Sequence, residues 1–293
     1  MLIDLETFSQ EKAFATIQWE KIATLENADG SKSIGVAGAI SAVNGRALLI
    51  AGGANFPDKM PWEGGKKHYS DEINILQKLE SKYVWNKKIK TKLPEPIAYC
   101  GNTSTKLGIV YAGGENEAGL SKKAFLIKFS SKEEWLLIFS LPDLPNPLTN
   151  IFLTNIGNVV YAIGGDGPSV SSKAFLSLDL DKKEEGWNQL PELPIALANS
   201  AAVVQNGSDG VNIYVIGGRS KDPSGISELH NTLYIYNPQT KIWKSGSPIS
   251  DGSITLNFSA GSAIAVSDHL LLIAGGDNGS IFHKIETYMN QIA

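Results

Sequence analysis

Polar or aromatic side chains follow a double glycine at five places along the chain, and they are the first candidates for chemistry. Glu115 follows Gly113–Gly114 and is a carboxylate that could act as a general base. Arg219 follows Gly217–Gly218, and its planar guanidinium could bind an anionic group through two hydrogen bonds. The remaining candidates at these places are Asn55, Phe56, Asn116, Asp166, Asp277 and Asn278.

Each candidate also has a purely structural interpretation. Arg219 is one of two arginines among 26 Lys and Arg residues, which singles it out. It could equally be a solvated loop residue, or it could pair with Asp166 of the neighbouring repeat. Glu115 could be an ordinary surface acid. The residue types alone therefore leave both interpretations open.

Five of the double glycines, all except Gly64–Gly65, mark an internal repeat. Each ends an apolar run, and the second glycines are spaced by 61, 51, 53 and 58 residues. This is closest to the period of roughly 50 residues that is typical of kelch repeats. Their positions are Gly53, Gly114, Gly165, Gly218 and Gly276, and tryptophans follow four of them at Trp85, Trp135, Trp187 and Trp243.

Each repeat predicts four short strands, which is the content of one blade of a β-propeller. The glycines suit a place where inner strands crowd together, and a tryptophan can fill the space between neighbouring blades. Both landmarks are therefore interpreted as structural. We expect residues 1–293 to form a single all-β propeller domain, in which the loops after each double glycine gather on one face.

Closure of the ring has two possible forms. The Trp19 segment has no double glycine before it and is expected to supply the outer strand of the last blade. In one form, residues 285–289 are the third strand of that blade and the ring has five blades. In the other, the apolar residues from Ile281 to Ile292 fall at helical spacing and begin a helical insertion, so that further sequence is needed. The periodicity favours the helix.

Composition excludes several classes of function. The formal charge of −4 and the scarcity of arginine argue against a nucleic-acid partner. No run of 18 apolar residues occurs, so no membrane partner is expected, and residues 1–10 lack the features of a secretory signal. A cytoplasmic location is expected, with the periplasm left open. The single cysteine, Cys100, cannot form an internal disulfide and is expected to be a buried apolar residue.

Motifs for other chemistry are absent from the sequence. Neither G-x-S-x-G nor G-x-x-x-x-G-K occurs, which excludes the usual hydrolase and kinase signatures. Cys100 has no Cys or His at metal-ligand spacing, and neither do His230, His269 or His283, which we interpret as structural or exposed. No metal site is predicted.

The loop AGGANFPDKMPWEGGKKHYSDEINIL, residues 51–76, closely resembles a loop of the kelch-propeller sialic acid mutarotases, also called N-acetylneuraminate epimerases, in their cyclically permuted branch. GGENEAG, residues 113–119, falls where that family has a GGE blade, and GGDNGSIF, residues 275–282, is similar to a family stretch that precedes a helical insertion. The resemblance implies a six-bladed kelch propeller that interconverts the α and β anomers of N-acetylneuraminate without a cofactor.

The family's proposed catalytic glutamate lies in a motif resembling G-E-x-K-x-G-x-R, which does not occur in these 293 residues. No catalytic residue is therefore carried over. Either the chain is shortened, or another residue has taken over the role. Under the second interpretation Glu115 is the predicted base and Arg219 the predicted anchor for the sugar carboxylate.

Several other residues are predicted to contact the sugar. They are Asn55, Phe56, Lys66, Asp166 and Asn278. Lys66, Lys67 and His68 could attract an anionic sugar, although such a run is usually solvated. Trp62 could stack on a sugar face or pack its loop against the propeller. The alternative function is a non-catalytic propeller that binds a glycan or a protein through the same face. The oligomeric state is not predicted.

Overall fold

The computed structural model describes residues 18–27, 30–130, 132–207, 209–267 and 270–292. The chain divides into two compact units, Met1–Ser33 and Ile34–Ala293. Within the described part of the first unit, Glu26 and Lys32 form an isolated antiparallel bridge and residues 18–25 form no strand. Trp19 is 82% exposed. Closure of a ring by a Trp19 strand is therefore not confirmed.

The second unit is built from short strands joined by turns. In chain order the first strands are β1 (Ile40–Asn44), β2 (Ala47–Ala51), β3 (Ala54–Asn55), β4 (His68–Tyr69), β5 (Ile73–Leu79), β6 (Lys82–Trp85), β7 (Gly101–Thr105), β8 (Gly108–Ala112), β9 (Glu115–Asn116), β10 (Gly119–Leu120), β11 (Ala124–Ser130) and β12 (Trp135–Leu141). They are followed by β13 (Phe152–Ile156), β14 (Val159–Ile163), β15 (Phe175–Asp179), β16 (Asn188–Gln189), β17 (Ala201–Gly207), β18 (Gly210–Ile216), β19 (Arg219–Lys221), β20 (Ser227–Leu229), β21 (Leu233–Asn237), β22 (Ile242–Ser245), β23 (Ser259–Ser267) and β24 (Leu270–Asp277). Two 3₁₀ helices span Pro61–Glu63 and Leu180–Glu185, and the helix α1 spans Phe282–Ile292.

The strands form a series of antiparallel sheets, one for each repeat. Sheet A has the order β1-β2-β5-β6, sheet B β7-β8-β11-β12, sheet C β13-β14-β15-β16 and sheet D β17-β18-β21-β22. Sheet E consists of β23 and β24. Short hairpins β3–β4, β9–β10 and β19–β20 follow the double glycines of sheets A, B and D. The all-β prediction is confirmed, and the arrangement is consistent with successive propeller blades.

The hydrophobic core lies between neighbouring sheets. One cluster joins Ile40 and Leu49 of sheet A to Ile109 and Phe125 of sheet B. Corresponding clusters join sheet B to sheet C, sheet C to sheet D, and sheet D to sheet E. Because the middle strands are covered on both faces, their sequences are nearly continuous apolar runs rather than alternating ones.

The double glycines hold neighbouring sheets together. Gly164 has a φ of 61°, and a Cβ there would collide with the carbonyl oxygen of Leu197, which precedes sheet D. The next residue, Gly165, donates its N–H to that same carbonyl at 2.8 Å. The same arrangement recurs where sheet A meets B, where B meets C, and where D meets E. The structural interpretation of these four pairs is confirmed. Around Gly275, by contrast, a Cβ would meet nothing within 4 Å in the described part of the chain.

Two of the repeated tryptophans join neighbouring sheets. Trp187 donates its indole N–H to the carbonyl of Pro142 at 2.8 Å, and Trp243 donates to Pro191 at 2.9 Å. Each proline follows the last strand of the preceding sheet. Trp135 donates instead to Glu133, two residues away. The predicted inter-sheet role is therefore confirmed for Trp187 and Trp243.

The C-terminal segment is helical. Helix α1 confirms the helical alternative for residues 281–292, and the alternative of a third strand at residues 285–289 is wrong. The helix is attached to the β19–β20 hairpin, because the Glu286 carboxylate accepts hydrogen bonds from the backbone N–H and the hydroxyl of Ser227. Among the helices that the structure describes, none combines the length and the apolar character that a membrane span requires.

Candidate active site

Three of the residues that follow the double glycines form equivalent backbone bridges in their repeats. Glu115 forms a bridge with Ala98, Asp166 with Thr149, and Arg219 with Ala198. In each case the bridge partner directly precedes the turn into the innermost strand. The repeat therefore places Glu115, Asp166 and Arg219 in equivalent positions.

Those turns form a continuous row of backbone hydrogen bonds across the sheets. Five residues with φ between 53° and 62° take part, and each after the first donates its N–H to the carbonyl of the residue before it in the row, at 2.7–3.0 Å. We call this the inner row, and it consists of Gly38, Tyr99, Asn150, Asn199 and Ala260. Left-handed backbone at non-glycine residues is uncommon and costs free energy, so the surrounding structure must enforce it.

Glu115 is the centre of a polar cluster between the hairpins β3–β4 and β9–β10. The Tyr69 hydroxyl donates to Glu115 Oε1 at 2.8 Å, and the Lys67 ammonium contacts the same oxygen at 3.1 Å. The side chains of Lys67 and Glu115 are 33% and 23% exposed, so the cluster is open to small solutes. Glu115 Oε2 accepts no hydrogen bond within the described ranges of the chain.

The electrostatics of the cluster keep its cation charged and its phenol protonated. Burial lowers the pKa of Lys67, but its hydrogen bond to Glu115 and the nearby negative charge outweigh burial, so its pKa is raised. Burial and the hydrogen bond to Glu115 raise the pKa of Tyr69. The Lys67 ammonium also lies 5.2 Å from the ring centroid of Tyr99, at a distance that permits a cation–π contact.

The register of β3 against β4 explains which lysine reaches Glu115. Ala54 pairs with Tyr69, and Asn55 pairs with His68. In extended backbone, residues two apart point to the same side, which groups Lys67 with Tyr69. Lys66 and His68 are exposed and lie outside the cluster. The structure thus brings Lys67 rather than the predicted Lys66 to Glu115.

Arg219 forms an ion pair with Asp166 of the neighbouring sheet. Arg219 Nη2 lies 2.5 Å from Asp166 Oδ2, and the residues are 7% and 4% exposed. The predicted alternative of a structural pair between Asp166 and Arg219 is confirmed. A sugar carboxylate would have to displace Asp166 to use this edge of the guanidinium, and the assignment of Arg219 and Asp166 as sugar-binding residues stays a prediction.

The pair belongs to a longer buried network. Asp166 also accepts hydrogen bonds from Asn150 Nδ2 at 3.0 Å and from the Ser171 hydroxyl at 2.7 Å. Arg219 donates to the Ser227 hydroxyl at 3.3 Å and lies 5.9 Å from the ring centroid of Phe282 in α1. The network therefore joins the inner row to the C-terminal helix.

The other predicted residues lie apart from the Glu115 cluster. Asn55 donates to the Gly35 carbonyl at 2.9 Å, and Phe56 is half-buried. Asn278 is exposed and accepts a hydrogen bond from the Ser280 N–H. Trp62 is 80% exposed, so it does not pack its loop against the sheets. No contact of these residues with Glu115 is found in the described structure.

A cavity of about 490 Å³ lies beside the inner row, where the innermost strands begin. Tyr99 belongs both to this cavity and to the surroundings of Lys67. Sequence reasoning missed Tyr69, Tyr99, Asn150 and Asn199. A signal for two of them existed, because Tyr99 and Asn150 each lie 15 residues before the second glycine of their repeat, as Gly38 does.

Cys100, His230 and His283 are engaged in hydrogen bonds within the protein. Cys100 is buried, its thiol donates to the Gly113 carbonyl at 3.2 Å, and burial raises its pKa, so the apolar interpretation is confirmed. His230 contacts the Ser220 hydroxyl at 2.7 Å, and His283 contacts the Ser227 carbonyl at 2.7 Å. His269 lies outside the described residues. Within the described ranges, no group of three His, Cys, Asp or Glu side chains is arranged to hold a metal ion.

Comparison with known proteins gives a consistent family assignment. The chain is 28% identical over 149 residues to the N-acetylneuraminate epimerase of Salmonella arizonae, covering 50% of this chain and 35% of that protein. It is 34% identical over 126 residues to the enzyme of that name from Vibrio vulnificus, covering 39% and 31%. The matched part thus spans about a third of the length of these relatives. The family model described as N-acetylneuraminate epimerase matches residues 141–293, more than half of the chain, and the chain therefore belongs to the N-acetylneuraminate epimerase family.

Proposed function

We propose that this protein is an isomerase that interconverts the α and β anomers of N-acetylneuraminate by acid–base ring opening. Family membership supports the substrate and the class of reaction. The Glu115 cluster carries the proposal for this chain. The phenol of Tyr69 and the ammonium group of Lys67 both lie within 3.1 Å of Oε1 of the Glu115 carboxylate. These are the groups that ring opening of an acidic keto sugar requires.

In the proposed reaction Glu115 is the base. Its Oε2 accepts the proton of the anomeric hydroxyl while the bond between the anomeric carbon and the ring oxygen breaks. The electron pair of that bond goes to the ring oxygen, which takes a proton from Tyr69, and the anomeric carbon becomes a ketone. Rotation of the ketone and reversal of both proton transfers close the ring on the other face. The step needs no redox partner and no metal.

Lys67 is the proposed anchor for the carboxylate of the sugar. Its raised pKa keeps it cationic, and it is partly exposed, whereas the guanidinium of Arg219 is buried against Asp166. A substrate carboxylate can approach Lys67 without breaking a buried ion pair. Arg219 stays the alternative anchor and is tested separately below.

We propose a six-bladed kelch propeller as the architecture. The repeat spacing and the five successive sheets support it. Among the described residues, sheet E has two strands, and none of these residues lies within 4 Å of a Cβ at Gly275, where the other double glycines meet a neighbouring sheet. A sixth blade would occupy that position.

Exchange NMR on purified protein with N-acetylneuraminate tests the function. We expect catalysed exchange between the α and β signals, and Glu115→Gln should reduce its rate by a factor of about 10² to 10⁴. Glu117→Gln is the matched control, because Glu117 is exposed on the same hairpin. Full activity of Glu115→Gln would exclude Glu115 as the base. Sugar-induced shifts without any exchange would favour the alternative of a non-catalytic, sugar-binding propeller.

A further inference from the structure

The cavity beside the inner row has a neutral lining. It is formed by the start of the innermost strand of every sheet from A to E. Its side chains include the phenol of Tyr99, the carboxamides of Asn150 and Asn199, the hydroxyls of Ser200 and Ser262, and the apolar groups of Cys100, Ile151 and Phe152. Among the residues that the structure describes, no acidic or basic side chain lines it. A volume of about 490 Å³ falls within the range of small-molecule sites.

Asn199 contributes to this lining a carboxamide whose hydrogen-bonding capacity is unused. Its backbone belongs to the inner row, but its carboxamide makes no hydrogen bond to any residue in the part of the chain that the structure describes. Asn150 differs, because its Nδ2 donates to Asp166 and leaves Oδ1 as the available acceptor. A carboxamide offers two donor hydrogens and an acceptor oxygen, so Asn199 can pair with a group that both donates and accepts.

The backbone from which this carboxamide extends is held in place. Asn199 has a φ of 53°, its N–H donates to Asn150, and its carbonyl accepts from Ala260. Left-handed backbone at a non-glycine residue costs free energy and persists where the surroundings impose it. Fixing the backbone removes part of the ordering cost that binding a ligand would otherwise include. The site is therefore formed before a ligand arrives.

We propose that the cavity binds the neutral part of a sugar, its hydroxyl and acetamido groups, with Asn199 as the main hydrogen-bonding residue. Hydroxyl groups donate and accept, which matches the carboxamides and hydroxyls of the lining, and the apolar side chains match C–H and methyl groups. An ionic group is disfavoured there because nothing in the lining neutralises its charge. This inference deepens the proposed function, because Tyr99 joins the cavity to the surroundings of Lys67 and Glu115.

A neutral probe separates this site from the proposed catalytic cluster. N-acetylmannosamine carries an acetamido group and several hydroxyls but no carboxylate. We expect it to shift the NMR signals of the inner row and to bind the wild-type protein in the millimolar range, which corresponds to a modest binding free energy. Binding should be unchanged in Glu117→Gln, the variant of an exposed residue outside both sites.

Asn199→Gly is the decisive variant. Glycine occupies the same inner-row position at Gly38 with a φ of 62°, so the substitution removes the carboxamide while the backbone conformation stays accessible. We expect the affinity for N-acetylmannosamine to fall about threefold to tenfold, the range for one or two neutral hydrogen bonds. Lys241→Gly is the control, because Lys241 also has left-handed backbone, with a φ of 57°, and is exposed outside the cavity; the affinity of this variant should be unchanged.

The outcomes distinguish this inference from the proposed function. Loss of probe affinity in Asn199→Gly but not in Lys241→Gly supports the site, even if the protein shows no anomer exchange. Equal affinity of wild type and Asn199→Gly overturns it, even if exchange is catalysed. Absence of any inner-row shift at probe concentrations of about 50 mM, well above a millimolar dissociation constant, also overturns it.

Discussion

Asp166 of sheet C and Arg219 of sheet D form an ion pair across the junction of the two sheets, with 2.5 Å between Oδ2 and Nη2. Both residues follow a double glycine, and both are more than nine-tenths buried. Hydrogen bonds from Asn150 and Ser171 satisfy the Asp166 carboxylate further. The two charges are thus compensated inside the protein rather than by solvent.

Removing one member of this pair should destabilise the fold strongly. Arg219→Ala leaves the Asp166 carboxylate buried without its cation, and we expect the free energy of unfolding to fall by about 3–5 kcal/mol. Urea denaturation measures this change. The double variant Asp166→Ala/Arg219→Ala removes the uncompensated charge and should recover part of the loss. A change below about 0.5 kcal/mol in Arg219→Ala, typical of an exposed residue, would contradict the structural role.

The same variant tests the alternative role of Arg219 as the sugar anchor. If Arg219 binds the carboxylate of N-acetylneuraminate, the folded fraction of Arg219→Ala should lose about 1.5–3 kcal/mol of binding free energy, as for a lost charged hydrogen bond. Because Arg219 is engaged by Asp166, we expect the affinity of the folded protein to change by less than that. Titration calorimetry at a temperature where the variant is folded gives the answer.

The double glycines provide a test of packing between sheets. Gly164→Ala places a methyl group against the Leu197 carbonyl, whereas the methyl group of Gly275→Ala meets nothing within 4 Å, and both residues have a positive φ. The cost of placing alanine in this backbone conformation is therefore similar in the two variants. The difference between their unfolding free energies then measures the cost of the collision. We expect Gly164→Ala to lose at least about 2 kcal/mol more in unfolding free energy than Gly275→Ala. Equal losses would show that the φ angle alone requires glycine.

Repetition explains why much of the fold could be predicted from the sequence. Five repeated double glycines indicate five copies of the same backbone arrangement. The collision that a Cβ at Gly164 would make shows the physical reason for the motif. The C-terminal helix was predictable from the spacing of its apolar residues, including Ile281 and Ile285. The closing role of Trp19 stays a prediction, because an isolated tryptophan does not indicate its pairing partner and residues 18–25 form no strand.

The candidate site was predicted only in part, because its contacts depend on register and on long-range pairing. The sequence could indicate Glu115 as a site residue from its place after a double glycine. The choice between Lys66 and Lys67 required the pairing of Ala54 with Tyr69, which the loop sequence does not specify. Asn199, the residue proposed to bind the sugar, was missed because it stands out only by its left-handed backbone in the inner row, and asparagine is common in ordinary turns.

The two adjacent lysines make a matched pair for the proposed carboxylate anchor. Lys67→Met should raise the N-acetylneuraminate concentration needed for half-saturation by a factor of about 10 to 150, which corresponds to the loss of one charged hydrogen bond. Lys66→Met makes the same chemical change at an exposed neighbour and should have a smaller effect. Both are measured by titration of NMR shifts. A larger effect at Lys66 would restore the prediction made from the sequence.

His230 should make stability depend on pH in the weakly acidic range. Its ring nitrogen Nε2 lies 2.7 Å from the Ser220 hydroxyl, which itself donates to the Ala196 carbonyl at 2.6 Å. Because that hydroxyl has one proton to give, Nε2 must carry the hydrogen and donate to Ser220. Burial lowers the pKa of His230 in the folded protein below its ordinary value of 6.5. The unfolded chain therefore binds a proton at a higher pH than the folded one.

The sign of the effect follows from this difference in pKa. Above about pH 7.5, a full unit above the ordinary pKa, both states hold a neutral His230, and this residue contributes no pH dependence. As the pH falls below that value, the unfolded state gains a proton first, so the free energy of unfolding declines until the folded-state pKa is passed. His230→Gln, which keeps a side-chain donor, should flatten this decline in urea denaturation between about pH 7.5 and 5. Identical pH profiles for wild type and variant would show that other groups cause the decline.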